Sequence, residues 1–182
     1  DSRIVLYDDV GGAMAARAWW CIRWLGHDNV ALLNGGLNAW LAANPGRLAS
    51  GEEPPKAGRF TRRASLTRTI NAEDLAATLH GRSLVDARAQ ERFDGKVEPI
   101  DPVAGHIPGA TCLPFQGNLS QDGQFKSAAA LAERFAELPD PVIAYCGSGV
   151  TAAHNLIALR LAGRGEGILY PGSWSEWLLD DE

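Results

Sequence analysis

Cys146 ends a β-rich run, Pro141 to Cys146, and is followed by Gly147-Ser148-Gly149-Val150-Thr151 and then by an alanine-rich segment opening with Ala152-Ala153. In a parallel sheet, ligands bind where loops leave the carboxyl ends of strands, and this cysteine stands at such an end. The two glycines let the loop curl so that its backbone N–H groups converge on one point. With the positive end of the following helix, those donors stabilise an anion and favour thiolate over thiol. A thiolate held in that way is a nucleophile. Buried cysteines are more often inert packing residues, but an inert cysteine needs no Gly-x-Gly turn and helix N-terminus around it. Cys21, in a helical stretch beside Trp19, Trp20 and Trp24, and Cys112, between Thr111 and Leu113, read as packing residues.

Other chemistries fit less well. Three cysteines at wide spacings match neither a disulfide framework nor a CxxC zinc site, which points to a reducing, cytoplasmic compartment. His27, His80, His106 and His154 form no HxH or HExxH pattern, so no metal site is expected. A serine nucleophile at Ser148 would need a glycine where Cys146 stands, and Gly147-Ser148-Gly149 lacks the lysine of a phosphate-binding loop.

The elements around the loop alternate between β-rich runs and helical patterns, the signature of an α/β fold with a mostly parallel sheet. Strands are expected at Ile4 to Tyr7, Asn29 to Leu33, Ser83 to Ala87, Pro141 to Cys146 and Gly167 to Tyr170. Helices are expected at Ala13 to Leu25, Leu37 to Ala43, Ala72 to His80 behind an Asn71 cap, Ser127 to Leu138, Thr151 to Ala162 and Trp174 to Leu179. The 182 residues are 46% hydrophobic, enough to bury a core. A formal net charge of -5 gives no electrostatic case for nucleic acid or an anionic membrane. Every apolar run is interrupted before the ~20 residues needed to span a bilayer, and no signal peptide or initiator Met is visible.

One unit occurs twice. Val5-Leu6-Tyr7-Asp8-Asp9-Val10-Gly11 precedes a helix, a strand and Asn34-Gly35-Gly36-Leu37-Asn38-Ala39-Trp40, just as Ile143-Ala144-Tyr145-Cys146-Gly147-Ser148-Gly149 precedes a helix, a strand and Tyr170-Pro171-Gly172-Ser173-Trp174. About 80 residues of domain precede the second copy and none precede the first. The expected organisation is therefore the C-terminal half of a first, inactive domain over 1–44, a Pro/Gly-rich linker over 45–59 and a complete domain over 60–182. On this reading the missing N-terminal part of the same protein is a partner that covers the half domain.

These motifs carry a resemblance. Tyr145-Cys146-Gly147-Ser148-Gly149-Val150-Thr151-Ala152 resembles the active-site loop of the two-domain rhodanese family of sulfurtransferases, and in particular its 3-mercaptopyruvate branch. Val85-Asp86-Ala87-Arg88 with Glu91-Arg92-Phe93, Gly105-His106-Ile107-Pro108-Gly109-Ala110, and Gly172-Ser173-Trp174-Ser175-Glu176-Trp177 resemble further signatures in the family's order. The N-terminal piece is similar to the second half of the family's non-catalytic domain, with Asp8 where the cysteine would be.

The resemblance implies a rhodanese-like α/β fold and a Cys146 that accepts a sulfane sulfur as a persulfide. Arg92 would bind the donor's anion, a role suited to a forked guanidinium, with Gly147, Gly149, Val150 and Thr151 forming the rest of the substrate cradle. Ser148 would serve a proton relay whose His and Asp partners belong to the first domain, upstream of Asp1. The donor would be a small molecule, 3-mercaptopyruvate or alternatively thiosulfate, and the acceptor a thiol, a thioredoxin-like protein or cyanide. No metal or organic cofactor is implied. The Gly105 to Ala110 motif and the Asp86/Arg88 pair read as structural.

Two departures bear on the donor. Ile100, within Glu98-Pro99-Ile100-Asp101-Pro102, stands near the place where mercaptopyruvate enzymes often carry a second arginine, and Pro171 replaces a frequent Asp. Against thiosulfate, Gly147 and Ser148 stand where rhodanese proper tends to have basic residues. A phosphatase of related fold would place Arg six residues after the cysteine, where this chain has Ala152. A catalytically silent binding module would be expected to have lost the cysteine that this copy keeps.

Overall fold

Short runs of branched residues separated by apolar helical stretches build two parallel sheets. The structure is a computed structural model and describes residues 2–52, 54, 57–79 and 81–179. In the N-terminal unit, β1 (Ile4–Leu6) pairs in parallel with β2 (Val30–Leu32), with α1 (Ala13–Trp24) as the crossover and α2 (Gly36–Ala43) behind them. No helix or strand lies between α2 and α3 (Ala72–Ala77) among the described residues, as the Pro/Gly content of that stretch predicts. Glu53, Pro55 and Lys56 of the expected linker, and the expected helix end at His80, lie outside the described residues.

The second unit contains β3 (Ser83–Asp86), α4 (Gln90–Phe93), β4 (Thr111–Cys112), a 3₁₀ turn at Phe115–Asn118, α5 (Ala128–Arg134), β5 (Val142–Tyr145), α6 (Ala152–Leu161), β6 (Ile168–Leu169) and α7 (Ser173–Trp177). Its sheet runs β4-β3-β5-β6, all parallel, with β5 flanked by Ser83–Asp86 on one side and Ile168–Leu169 on the other. Strand alternation divides the core between two faces. Val142 and Ala144 pack with Val85, Leu169 and the α5 and α6 residues Leu131, Leu156 and Leu159; Ile143 and Tyr145 pack with Leu84, Ile107, Leu75 and Trp174.

Helix α6 is buried from Ala152 through Leu159 because α1 packs on it from the N-terminal unit. Trp19 and Trp20 of α1 belong to the same cluster as Ala153 and Leu156. The Asn71 cap is as expected: its Oδ1 accepts the Asp74 N–H at 2.7 Å. Most elements are one to four residues shorter than their sequence patterns. Helix α4, strand β4 and the 3₁₀ turn carry no periodicity long enough to announce them. No described helix is long and apolar enough to cross a membrane.

Candidate active site

Strand β5 delivers Cys146 to the carboxyl end of the sheet, where it is 3% exposed. Its backbone is fixed by the α7 turn: the Cys146 N–H donates to Ser173 Oγ at 3.1 Å, and its carbonyl accepts the Trp174 N–H at 3.0 Å. The Ser173 hydroxyl in turn donates to Tyr170 O at 2.9 Å. Ser173 has φ +58, a conformation uncommon outside glycine, and these two bonds hold it there.

The loop differs from expectation in its glycines. Gly149 is left-handed (φ +74), and a Cβ on it would fall 2.5 Å from the Pro171 carbonyl oxygen, so this position requires glycine. Gly147 has no positive φ; a Cβ there would only stand 3.6 Å from Nη1 and Nη2 of Arg92. Gly147 is thus needed neither to turn the chain nor to make room for the guanidinium, which a Cβ would meet at ordinary contact distance. Val150 is half-buried, as is Thr151, which precedes α6 without a side-chain capping bond. Among the described residues, none of the N–H groups from Gly147 to Ala152 has a protein acceptor. They lie in the loop between Cys146 and the positive end of α6, a setting for an anion. Ser148 is exposed, and its hydroxyl has no protein partner among the described residues.

Arg92 arrives from α4 beside Gly147, as the substrate-anion role requires, but it is already engaged. Its Nε and Nη2 donate to Glu98 Oε2 and Oε1 at 3.2 and 2.6 Å, and Nη2 also donates to Asp101 Oδ2 at 3.1 Å. Glu98 and Asp101 have only 4% and 6% of their side chains exposed. Burial would raise the Glu98 carboxyl, but the Arg92 bond and the N–H groups of Asp101 and Ile100 outweigh it and hold the group below its ordinary value. In the sequence Glu98 and Asp101 stand out only as neighbours of Ile100. The available signal was two acids three residues apart, six and nine positions after Arg92.

The Asp86/Arg88 pair is structural, as expected. Arg88 donates from Nε and Nη2 to the Asp86 carboxylate at 2.7–3.1 Å, caps Gly105 O at 2.6 Å and stacks 5.1 Å over the Trp174 ring. His106 stacks on Phe93 at 3.7 Å and bonds Phe93 O, which fits its reading as part of a turn. Cys112 donates weakly to Arg88 O at 3.8 Å, and burial pushes its thiol up to about 11, so it is a poor nucleophile. Cys21 packs against the main core cluster.

The N-terminal unit repeats the frame with a different residue in the cradle. Asp8 occupies the position equivalent to Cys146, and its two carboxylate oxygens accept the N–H groups of Val10, Gly12, Met14 and Ala15 at 2.7–3.0 Å. The equivalent donors around Cys146 are those of Ser148, Val150, Ala152 and Ala153. Only Ala153 is engaged, with Val150 O at 3.2 Å.

The model of the rhodanese-like domain matches residues 1–43 and 71–180 of this chain. The chain belongs to the rhodanese-like family. The rhodanese-like chain is 54% identical, over 99% of its length, to a Pseudomonas aeruginosa protein named a probable 3-mercaptopyruvate sulfurtransferase, of which it covers 66%. It is 38% identical over 97% of its length to the thiosulfate sulfurtransferase of Rattus norvegicus, of which it covers 63%. It thus spans just under two thirds of these relatives. The crystal structure of SseA from Escherichia coli, described as a 3-mercaptopyruvate sulfotransferase, superposes with a TM-score of 0.81 at 33% identity, covering 97% of this chain and 68% of that one. The fold is therefore the rhodanese-like α/β fold, with parallel sheets flanked by helices and a partial second copy.

Proposed function

We propose that this chain is the sulfur-transferring part of a sulfurtransferase that moves a sulfane sulfur from 3-mercaptopyruvate to a thiol, a thioredoxin-like protein or cyanide through a Cys146 persulfide. The observation that carries the reading is the pair of matched loops. In one, N–H groups grip the Asp8 carboxylate; in the other, N–H groups of Ser148, Val150 and Ala152 face no protein acceptor around Cys146. A persulfide is an anion one atom longer than a thiolate, and such donors suit its outer sulfur.

The Cys146 thiolate attacks the mercapto sulfur of the donor. An S–S bond forms, the donor's C–S bond breaks, and its electron pair leaves on the pyruvate enolate, which takes up a proton. The acceptor thiolate then attacks the outer sulfur, and Cys146 departs as thiolate, with no external oxidant or reductant. Arg92 meets the donor carboxylate beside Gly147, Val150 and Thr151 line the approach with Gly149 fixing the turn, and Ser148 serves proton transfer. With thiosulfate as donor, sulfite would leave instead. Residues 1–44 are read as half of a non-catalytic domain, 45–59 as linker and 60–182 as the catalytic domain. Cys21, Cys112 and Cys146 are all free thiols, which suits a reducing, cytoplasmic setting.

Mass spectrometry of the intact chain after incubation with 3-mercaptopyruvate should find one added sulfur, located on the Cys146 peptide. Cys146→Ser should lose transfer to every acceptor while keeping its fold, because a hydroxyl cannot form a persulfide. Sulfur found on Cys21 or Cys112 instead, or transfer surviving in Cys146→Ser, would overturn the assignment.

A further inference from the structure

We infer that Glu98 and Asp101 act as a charge filter on the donor, tuning the Arg92 site to accept a singly charged anion and to disfavour a dianion such as thiosulfate. This rests on the sulfurtransferase reading above and adds to it the class of donor. A guanidinium carries five N–H donors. Here the Nε and one Nη2 hydrogen go to Glu98 and the other Nη2 hydrogen to Asp101, so only Nη1 is left without a protein acceptor among the described residues. The forked, two-nitrogen grip that a free arginine would offer is thus already used. An anion above Gly147 meets one nitrogen of Arg92 and, close behind it, two carboxylates.

The wider charge balance points the same way. Three nearly buried carboxylates, Asp86, Glu98 and Asp101, face two guanidinium groups, Arg88 and Arg92. Each added negative charge on a donor is therefore repelled in a region where burial weakens screening. Asp101 also ties this cluster to the cysteine loop. The Ser175 hydroxyl lies 2.6 Å from Asp101 Oδ1 and 2.9 Å from Gly147 O; having one proton, it donates to the charged, nearer oxygen, while the Ser175 N–H bonds Gly147 O at 3.0 Å. Asp101 is thus a positioning residue as well as a charge.

The test compares kcat/KM for thiosulfate and for 3-mercaptopyruvate in the full chain and three variants. Asp101→Asn removes one charge while its amide oxygen can still accept from Arg92; it should raise the thiosulfate-to-mercaptopyruvate ratio by about tenfold, mostly through a lower KM for thiosulfate. Glu98→Gln should move the ratio in the same direction, and it serves alone if Asp101→Asn does not fold. Ser175→Ala breaks the positional link without changing charge, so its ratio should stay within about twofold of the parent. A ratio unchanged in the folded charge variants, or shifted equally by Ser175→Ala, would overturn the filter. Should the parent chain turn over neither donor and also form no Cys146 persulfide, the sulfurtransferase reading fails on that result. The filter is then read from calorimetric binding of pyruvate and thiosulfate to Cys146→Ser, with and without Asp101→Asn. Pyruvate favoured in the first and the gap narrowed in the second is the expected result; the same selectivity in both would overturn it.

Discussion

The two copies of the strand–loop–helix unit share their backbone bonds almost one for one. Leu33 N–H donates to Leu6 O at 2.8 Å and Tyr170 N–H to Ala144 O at 3.0 Å; Leu37 N–H donates to Asp8 O at 2.8 Å and Trp174 N–H to Cys146 O at 3.0 Å. Gly36 and Ser173 have φ +59 and +58, and Gly11 and Gly149 have φ +72 and +74. What differs is the side chain in the cradle. A carboxylate reaches the converging N–H groups and binds them itself, whereas a thiol is too short and too weak an acceptor and leaves them for an incoming anion. One residue type thus separates a self-anchored loop from one with open donors on the same frame.

The largest expected effect tests whether matched φ values mean matched tolerance. An alanine at either Gly11 or Gly149 adopts a left-handed conformation at a cost of about 1–2 kcal/mol. At Gly11 the new Cβ would meet the Leu119 Cδ1 at 2.9 Å, the far end of a flexible side chain; at Gly149 it would meet the Pro171 carbonyl oxygen at 2.5 Å, which is backbone. Gly149→Ala should therefore lose about 3 kcal/mol or more in urea denaturation and Gly11→Ala clearly less. Equal losses would show that the two loops are packed alike.

Much of this was legible in the sequence because the signals were local and repeated. The Gly-x-Gly turn after Cys146, the Asn71 cap and the paired Asp8 and Cys146 positions each lie within a few residues of the feature they mark. The carboxylates around Arg92 are not legible as its partners, because nothing local tells a buried Glu98 from a solvated one in a Pro-rich loop. Helix α6 was recognisable as helical, yet its burial on all sides depends on α1, more than a hundred residues away. The requirement for glycine at Gly149 but not Gly147 likewise comes from a contact with Pro171, distant in sequence.

His154 joins the two copies and gives the next largest effect. It lies on α6, its Nε2 bonds Gly11 O at 3.1 Å, and its Nδ1 lies 3.1 Å from Asn118 Nδ2. Arg134 Nε donates to Asn118 Oδ1, which fixes the amide so that Nδ2 is the donor, and the imidazole is therefore neutral with its proton on Nε2. Burial lowers its pKa to about 4; the Gly11 bond and the Asp8 charge only partly oppose it. The unfolded chain takes up a proton near pH 6.5 that the folded chain refuses. Stability from this group is full above about pH 6.5 and falls as pH drops toward 4, by about 2 kcal/mol at pH 5. His154→Gln should flatten the dependence of urea stability on pH between 7 and 5 relative to the parent. Identical slopes would mean that the junction between the copies tolerates a charged imidazole.

The smallest effect concerns Asp8 itself. Burial would raise its carboxyl, but the N–H groups of Ala15, Gly12, Val10 and Met14 outweigh it and hold the group below the usual carboxylate range. Asp8→Asn keeps one acceptor oxygen and turns an NH₂ toward backbone donors, and it removes the charge that strengthens all four bonds. Because the side chain is partly exposed, the cost at pH 7 should be only about 1 kcal/mol. The carboxylate's contribution is fully present above the unfolded value near 4 and is lost as pH falls through the lower folded value. The stability gap between parent and Asp8→Asn should therefore be constant from about pH 5 to 7 and narrow below about pH 4. Denaturation series at pH 7, 5 and 3.5 would measure it. No gap at pH 7 would mean that the four N–H bonds do not anchor the loop, and the contrast between a filled cradle at Asp8 and an open one at Cys146 would lose its energetic content.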